Sequence, residues 1–446
     1  MPVEPRWQFC ATLHGDIGPH LSAFGLWTPQ VFPHALSSLW PIRQFGSCSD
    51  AMETTAKTAE DIIGIVPHTL GYIPRESLVA VIVGPDEHGT QTCATTLRVD
   101  FDLETAAHLV AEGGKWYSDL ITGACTATGV FLVLYDSDYQ CGTPEAVLAG
   151  VGALGDEYPR VHRDLIRAAI DEIALSLGER GIDTLSAWWV SEERFGRIDG
   201  DAQISTLLEA ASTSACATEL VAAGSSPAAS PQELVVRPVS AAEFTVSRNG
   251  HCDTWLTIAD GFDVLSILYP RLACLSEGED AIDRAAVAEL MTLQTIKAVD
   301  AILSEKWSRD ALEMILSFDH PNFAPADIES CGPGQLNLRA QRYAMSPQAA
   351  QHMVGLSPRA PRPRDVQLGI EFLRAYIPLG HPDVRATAYA VIAWFEWSLG
   401  GSTMAEQYAQ AGLELDADHA MATLILDAVD QGYLPRWLMS ARRGPG

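Results

Sequence analysis

The sequence predicts an α/β fold: an N-terminal mixed-sheet α/β domain followed by a mostly helical C-terminal region with tetratricopeptide-like texture. Three observations carry that expectation. Residues 77–83, SLVAVIV, are a continuous apolar run of strand length, as a strand covered on both faces requires. Residues 92–101, TCATTLRVDF, alternate: Cys93, Thr95, Leu97, Val99 and Phe101 share one face, and Ala94, Thr96, Arg98 and Asp100 the other. Beyond residue 190 the strand signal fades and apolar stripes of helical period replace it.

The elements follow in order. Thr58 and Asp61 have the spacing of a capping box, so a short helix starts there and stops near Pro67, with Gly71 free to take positive φ. Strands 77–83 and 92–101 pair across the loop GPDEHGTQ. Asp102 caps a helix with Leu103, Ala106 and Val110 inward and Gly113 at its end. GVFLVLY (129–135) is a third strand; residues 160–178 form a helix with Ile166, Ile170, Ile173 and Leu177 on one stripe; DTLSAWWV (183–190) is a fourth strand. Ser230, Pro231 and Glu233 resemble a helix start, and 281–318 reads as helix with Ile282, Leu290, Leu293, Ile296 and Leu303 on one side. SPRAPRPRD (357–365) is a stiff basic spacer, and 384–433 reads as three short helices that must pack on earlier helices or on another protein.

The expected domains are therefore 52–225 (α/β), 226–362 (helical or mixed) and 363–446 (helical, repeat-like). Residues 1–51 hold six prolines, three tryptophans and five charged residues without sustained periodicity. They are expected to be a disordered arm, or to lie upstream of a true start at Met52.

The net charge of −28 opposes docking on phosphate backbones or anionic lipid, so neither nucleic acid nor membrane is an expected partner. No apolar run is long enough to span a bilayer. Nine cysteines without a CxxC pair point to a reducing compartment and a cytoplasmic protein.

At this point the motifs carry a resemblance. AEDIIGIVPHTLGYIPRESLVAVIV followed by LRVDFD resembles the opening signature of the bacterial domain-of-unknown-function family number 4192. ACATELVAAGSSPAAS (215–230), SRDALEMIL (308–316) and the closing helices resemble later parts of it in the same order. The resemblance implies a soluble intracellular protein with an α/β front and a helical back, and no particular activity. SEERFGRIDGDAQIS (191–205) departs from the pattern, lacking the tryptophan and cysteine that many relatives carry there. A site that relatives build in that segment does not carry over.

Several chemical motifs reduce to structure. GVGALG (150–155) matches GxGxxG but no strand runs straight into it. The pairs Asp100/Asp102 and Asp136/Asp138 have Mg²⁺-type spacing, yet a helix cap and a strand-end turn account for them. HCD (251–253) has no second cluster at metal-ligand spacing, and His68 serves to close its helix. No cofactor and no metal is expected. What remains is the sheet edge: Arg75, Glu76 and Ser77 at the mouth of the buried strand, and Arg98 and Asp100 on its neighbour. These five are the candidate ligand-binding residues, set against an internal ion-pair network that merely fixes the turn. The expectation is a binding or regulatory module, with a possible protein partner on the C-terminal helices. The alternative is a metal- or water-dependent hydrolase using the Arg98/Asp100 edge or Asp136.

Overall fold

The computed structural model describes residues 39–40, 56, 58–85, 91–139, 158–201, 204–239, 255–276, 282–317 and 321–440, all within one compact unit. The expectation for residues 1–51 falls outside them, apart from the two-residue strand β1 (Leu39–Trp40).

Helix α1 (Ala59–Leu70) begins with the expected capping box, in which Thr58 Oγ1 accepts from Asp61 N–H and Asp61 Oδ2 from Thr58 N–H. It runs past Pro67 to Leu70 and ends at Gly71, φ +81°. Pro67 is tolerated because the helix is already closing, so only one ladder bond is lost. Strands β2 (Ser77–Pro85) and β3 (Gln91–Asp100) pair antiparallel, as expected. Helices α2 (Leu103–Glu112) and α3 (Lys115–Ala124) lead to β4 (Gly129–Tyr135), and α4 (Tyr158–Gly178) leads to β5 (Asp183–Val190). Asp102 Oδ1 caps α2 by accepting from Thr105 N–H at 2.7 Å. Its inward stripe is Thr105, Ala106 and Leu109 rather than the expected Leu103–Val110 line, and Val110 is 40% exposed.

The chain adds two strands that the sequence reading passed over, β6 (Arg194–Arg197) and β7 (Thr206–Leu207). Both are too short for a period to register. The sheet order is β1-β3-β2-β4-β5-β6-β7, with β4 and β5 parallel and the other neighbours antiparallel. Leu78, Ala80 and Ile82 of β2 face the core built with α2, α3 and α4, including Ile166, Ile170, Ile173 and Leu177. Val79 and Val81 face the opposite core with Ile62, Ile63 and Val66 of α1. Short helices α5 (Glu209–Ser212) and α6 (Ala215–Ala222) support α1, where Gly64 lets the backbones meet: a Cβ there would lie 2.4 Å from Ala211 O.

The helical part comprises α7 (Ile258–Cys274), α8 (Arg284–Glu289), α9 (Leu293–Leu303), α10 (Lys306–Ser317), α11 (Pro325–Glu329), α12 (Gln335–Ala344), α13 (Pro347–Met353), α14 (Pro363–Tyr376), α15 (Pro382–Ser398), α16 (Ser402–Leu415), α17 (Ala420–Asp430) and α18 (Arg436–Ser440). The expected single run over 281–318 is thus broken into three, because Thr292 caps a new helix and Ser304 closes it. Pro231–Leu234 is one 3₁₀ turn, in which Glu233 accepts from Ala229 N–H and Ser230 makes no side-chain cap. Helix α15 is the axis of this part, with 14 of 17 residues buried. The C-terminal segment seals it: Trp437 Nε1 donates to Ser398 O and Trp397 Nε1 to Tyr433 O, each at 2.9 Å.

Residues 225–236 lace the two parts together. Ala228 exchanges backbone hydrogen bonds with Gly71 and Ile73, and Leu234 packs on both the α1-side core and the helical core. Tyr408 donates to Leu234 O at 3.2 Å and Tyr389 to Val236 O at 2.6 Å.

Two outcomes follow. Trp437→Ala removes a side chain that is 1% exposed together with its hydrogen bond, and should cost about 3–5 kcal/mol in urea unfolding. Glu313, fully buried on α10 with Arg309 Nε 4.0 Å away, has its carboxyl pushed well above the usual 4.5 by burial. The folded chain therefore keeps a proton that the unfolded chain loses. Its stabilising contribution is complete below pH 4.5 and declines as pH rises toward the folded value. Glu313→Gln should raise Tm relative to the parent by a margin that grows with pH across that window; a pH-independent difference would contradict the assignment.

Candidate functional site

Register fixes a line across four strands at one end of the sheet. Asp100 lies opposite Ser77, Ser77 opposite Tyr135, and Tyr135 opposite Val190. Side chains of directly paired residues project to one face. Here it is the α1 face, since Tyr135 and Val190 belong to that core. Ser77 Oγ and Tyr135 Oη are buried and have no hydrogen-bond partner among the described residues. So is Tyr72 Oη in the same core. Buried hydroxyls are nearly always bonded, so this group calls for partners beyond the described residues.

Beside the hydroxyls stands an ion pair. Arg98 joins Asp100, with side-chain exposures of 11% and 48%, so the pair spans from interior to surface. Arg98 Nη1 also reaches Thr403 Oγ1 of α16 at 3.4 Å, and Nη2 reaches the Arg75 carbonyl at 3.5 Å. Glu406, one turn beyond Thr403, faces the same rim. Burial raises its carboxyl pKa most, the Asp100 and Asp430 carboxylates add to that, and Arg98 opposes it.

Glu76 completes the edge in an unusual backbone state. Its φ of +42° makes it the one non-glycine residue in the left-handed region among the described residues. Such a conformation costs about 1–2 kcal/mol for a residue with a Cβ. It is held by two donors on Ser137, Oγ at 2.8 Å and N–H at 3.2 Å, both to Glu76 Oε1. Phe101 N–H donates to the Glu76 carbonyl.

One step past the line, at the carboxyl end of β4, Asp136 Oδ2 meets His162 Nε2 of α4 at 2.6 Å. Both residues are buried, and Asp136 Oδ1 accepts from Asp138 N–H at 2.8 Å. Carboxyl ends of parallel strands are where open α/β sheets place ligands.

Of the five candidates, the structure brings Arg98, Asp100, Ser77 and the Arg75 carbonyl together, while the Arg75 side chain is exposed and Glu76 turns to Ser137. His68 lies apart; its Nδ1 meets Ser225 Oγ at 2.9 Å, and burial lowers its pKa. Among the described residues no cluster of His, Cys, Asp and Glu is arranged for a metal. GVGALG and HCD fall outside those residues. Tyr135, His162, Thr403 and Glu406 escaped the residue-level reading, whereas Asp136 was singled out there without its partner His162. His162 did leave a signal, standing four residues before Ile166 on the inward stripe of α4. Thr403 and Glu406 left none, being some 300 residues from the strand they face.

The profile of the family described as Domain of unknown function (DUF4192) matches residues 60–326, more than half of the 446-residue chain. The chain belongs to that family. The DUF4192 region contains Arg75, Glu76, Ser77, Arg98, Asp100, Tyr135, Asp136 and His162, whereas Thr403 and Glu406 lie beyond it. No curated protein and no solved structure matches.

If the Ser77 hydroxyl is unbonded in the ligand-free protein, Ser77→Ala removes a desolvation penalty and should stabilise by about 1 kcal/mol in urea unfolding. A loss of stability would mean that the hydroxyl is already satisfied.

Proposed function

We propose that the protein is a cytoplasmic binding module that takes a small polar ligand at the end of the sheet, where β2, β3 and β4 meet α16. One observation carries the reading: Ser77 Oγ and Tyr135 Oη are buried without partners among the described residues, in the row that ends on the Arg98–Asp100 pair. A polar ligand supplies what those hydroxyls lack, and it discriminates against compounds that would leave them unpaired. Free thiols at Cys93, Cys216, Cys274 and Cys331 are in keeping with a reducing compartment, and no described helix is long and apolar enough to cross a membrane. Because Arg98 reaches Thr403, a ligand at the rim also touches the C-terminal helices, through which occupancy would be passed to a protein partner.

The hydrolase reading has its own support in the Asp136–His162 pair, a carboxylate–imidazole arrangement able to hold a proton at the carboxyl end of β4. Among the described residues no cluster of His, Cys, Asp and Glu suited to a metal stands beside it. The binding reading is therefore preferred.

The test is thermal shift of the full chain against a dialysable small-molecule extract. The parent protein should gain several degrees, and the Ser77→Ala/Tyr135→Phe double variant should gain none while remaining folded by circular dichroism. An equal gain in both proteins, or none in either, would overturn the proposal. Ester and phosphoester turnover abolished by Asp136→Asn would transfer the assignment to the hydrolase.

A further inference from the structure

The geometry points to a small organic ammonium ion bearing hydroxyl groups as the ligand of this rim, its charged end between Asp100 and Glu406 and its hydroxyls on Ser77 and Tyr135. The inference rests on the small-ligand reading above and adds the chemical class. It begins with the Arg98 guanidinium. That group is engaged by the Asp100 carboxylate, the Arg75 carbonyl and the Thr403 hydroxyl, so its charge is already answered. Glu406 is a second carboxyl on the same side. Thr403, which touches Arg98, and Glu406 stand three residues apart on α16, a spacing that puts both on one helix face. Asp430, at the end of α17, adds a third negative charge close enough to act on Glu406.

Glu406 accepts one hydrogen bond from Gln410 Nε2, at 2.8 Å on Oε1. Arg98 answers one negative charge, its partner Asp100, while Asp100, Glu406 and Asp430 together carry three, so a second cation among them relieves the remaining repulsion. A phosphate or carboxylate ligand would meet Asp100, Glu406 and Asp430 with like charge. An apolar amine would answer the carboxylates but leave the Ser77 and Tyr135 hydroxyls bare. A compound with an ammonium group and hydroxyls satisfies both halves of the site. The two halves come from different parts of the chain, the sheet and α16, so the ligand bridges them.

The experiment uses the full-length protein and isothermal titration with four probes: glucosamine, ethanolamine, glucose and inorganic phosphate. Glucosamine and ethanolamine should bind, glucose at least tenfold more weakly than glucosamine, and phosphate not at all. Glu406→Gln and Asp100→Asn should each weaken glucosamine about tenfold, and Ser77→Ala should narrow the gap between the two amines. Thermal unfolding of each variant without ligand separates lost binding from lost fold. Glucose binding as tightly as glucosamine, insensitive to Glu406→Gln but lost in Ser77→Ala, would overturn the ammonium assignment and leave the binding module standing. Phosphate binding would overturn it in the same way. Failure of all four probes, with the extract test also negative, would remove both.

Discussion

Strand β2 is paired on both edges and covered on both faces, and this double enclosure determines what its first residue meets. Leu78 to Ile82 fill the two cores that flank the sheet. Ser77 continues the same strand and is as fully buried as they are, but carries a hydroxyl where its neighbours carry methyl groups. The register on either side then leaves no freedom: Asp100 must lie on one flank and Tyr135 on the other. A one-residue slip of β2 would turn its two apolar sets toward the wrong cores and scatter the row. Packing of Leu78, Ala80 and Ile82 against α2, α3 and α4 thus positions polar groups several residues away.

The second constraint is the closure of the helical part onto the α1 side of the sheet. The lacing segment gives Tyr408 and Tyr389 backbone acceptors at Leu234 and Val236, and Leu234 is shared between cores. Leu434, in the C-terminal segment, packs on the core of the opposite face. Because α16 carries both Tyr408 and Thr403, the bonds that dock this helix also set Thr403 against Arg98. A ligand bound at such a seam would oppose the separation of the two parts.

Much of the α/β part was legible because its signals are local. A buried strand reads as SLVAVIV, a half-buried one as the alternation of TCATTLRVDF, and Thr58, Asp61 and Asp102 stand at true helix starts. Pro67 misled because the residue type suggests a stop, whereas the helix geometry has one more turn to give. Val110 was placed inward by spacing alone, and the rotation of α2 against α4 chose Leu109 instead. The pairing of β2 with β3 made Arg98, Asp100 and Ser77 readable as neighbours. The other wall of the site was not, because Thr403 and Glu406 reach the sheet through long-range docking to which no local period refers. The buried hydroxyls were invisible for a related reason: Tyr135 reads as one more large residue in a core strand, and only the fold reveals that its oxygen has no partner among the described residues.

The central claim is that the Ser77 and Tyr135 oxygens are reserved for a molecule other than the protein. A high-resolution crystal structure of the protein isolated without denaturation tests this most directly. The account predicts density larger than a water in contact with both oxygens and with the Asp100 carboxylate. Both hydroxyls turned onto backbone carbonyls, or bridged to one another by a single isolated water, would contradict it.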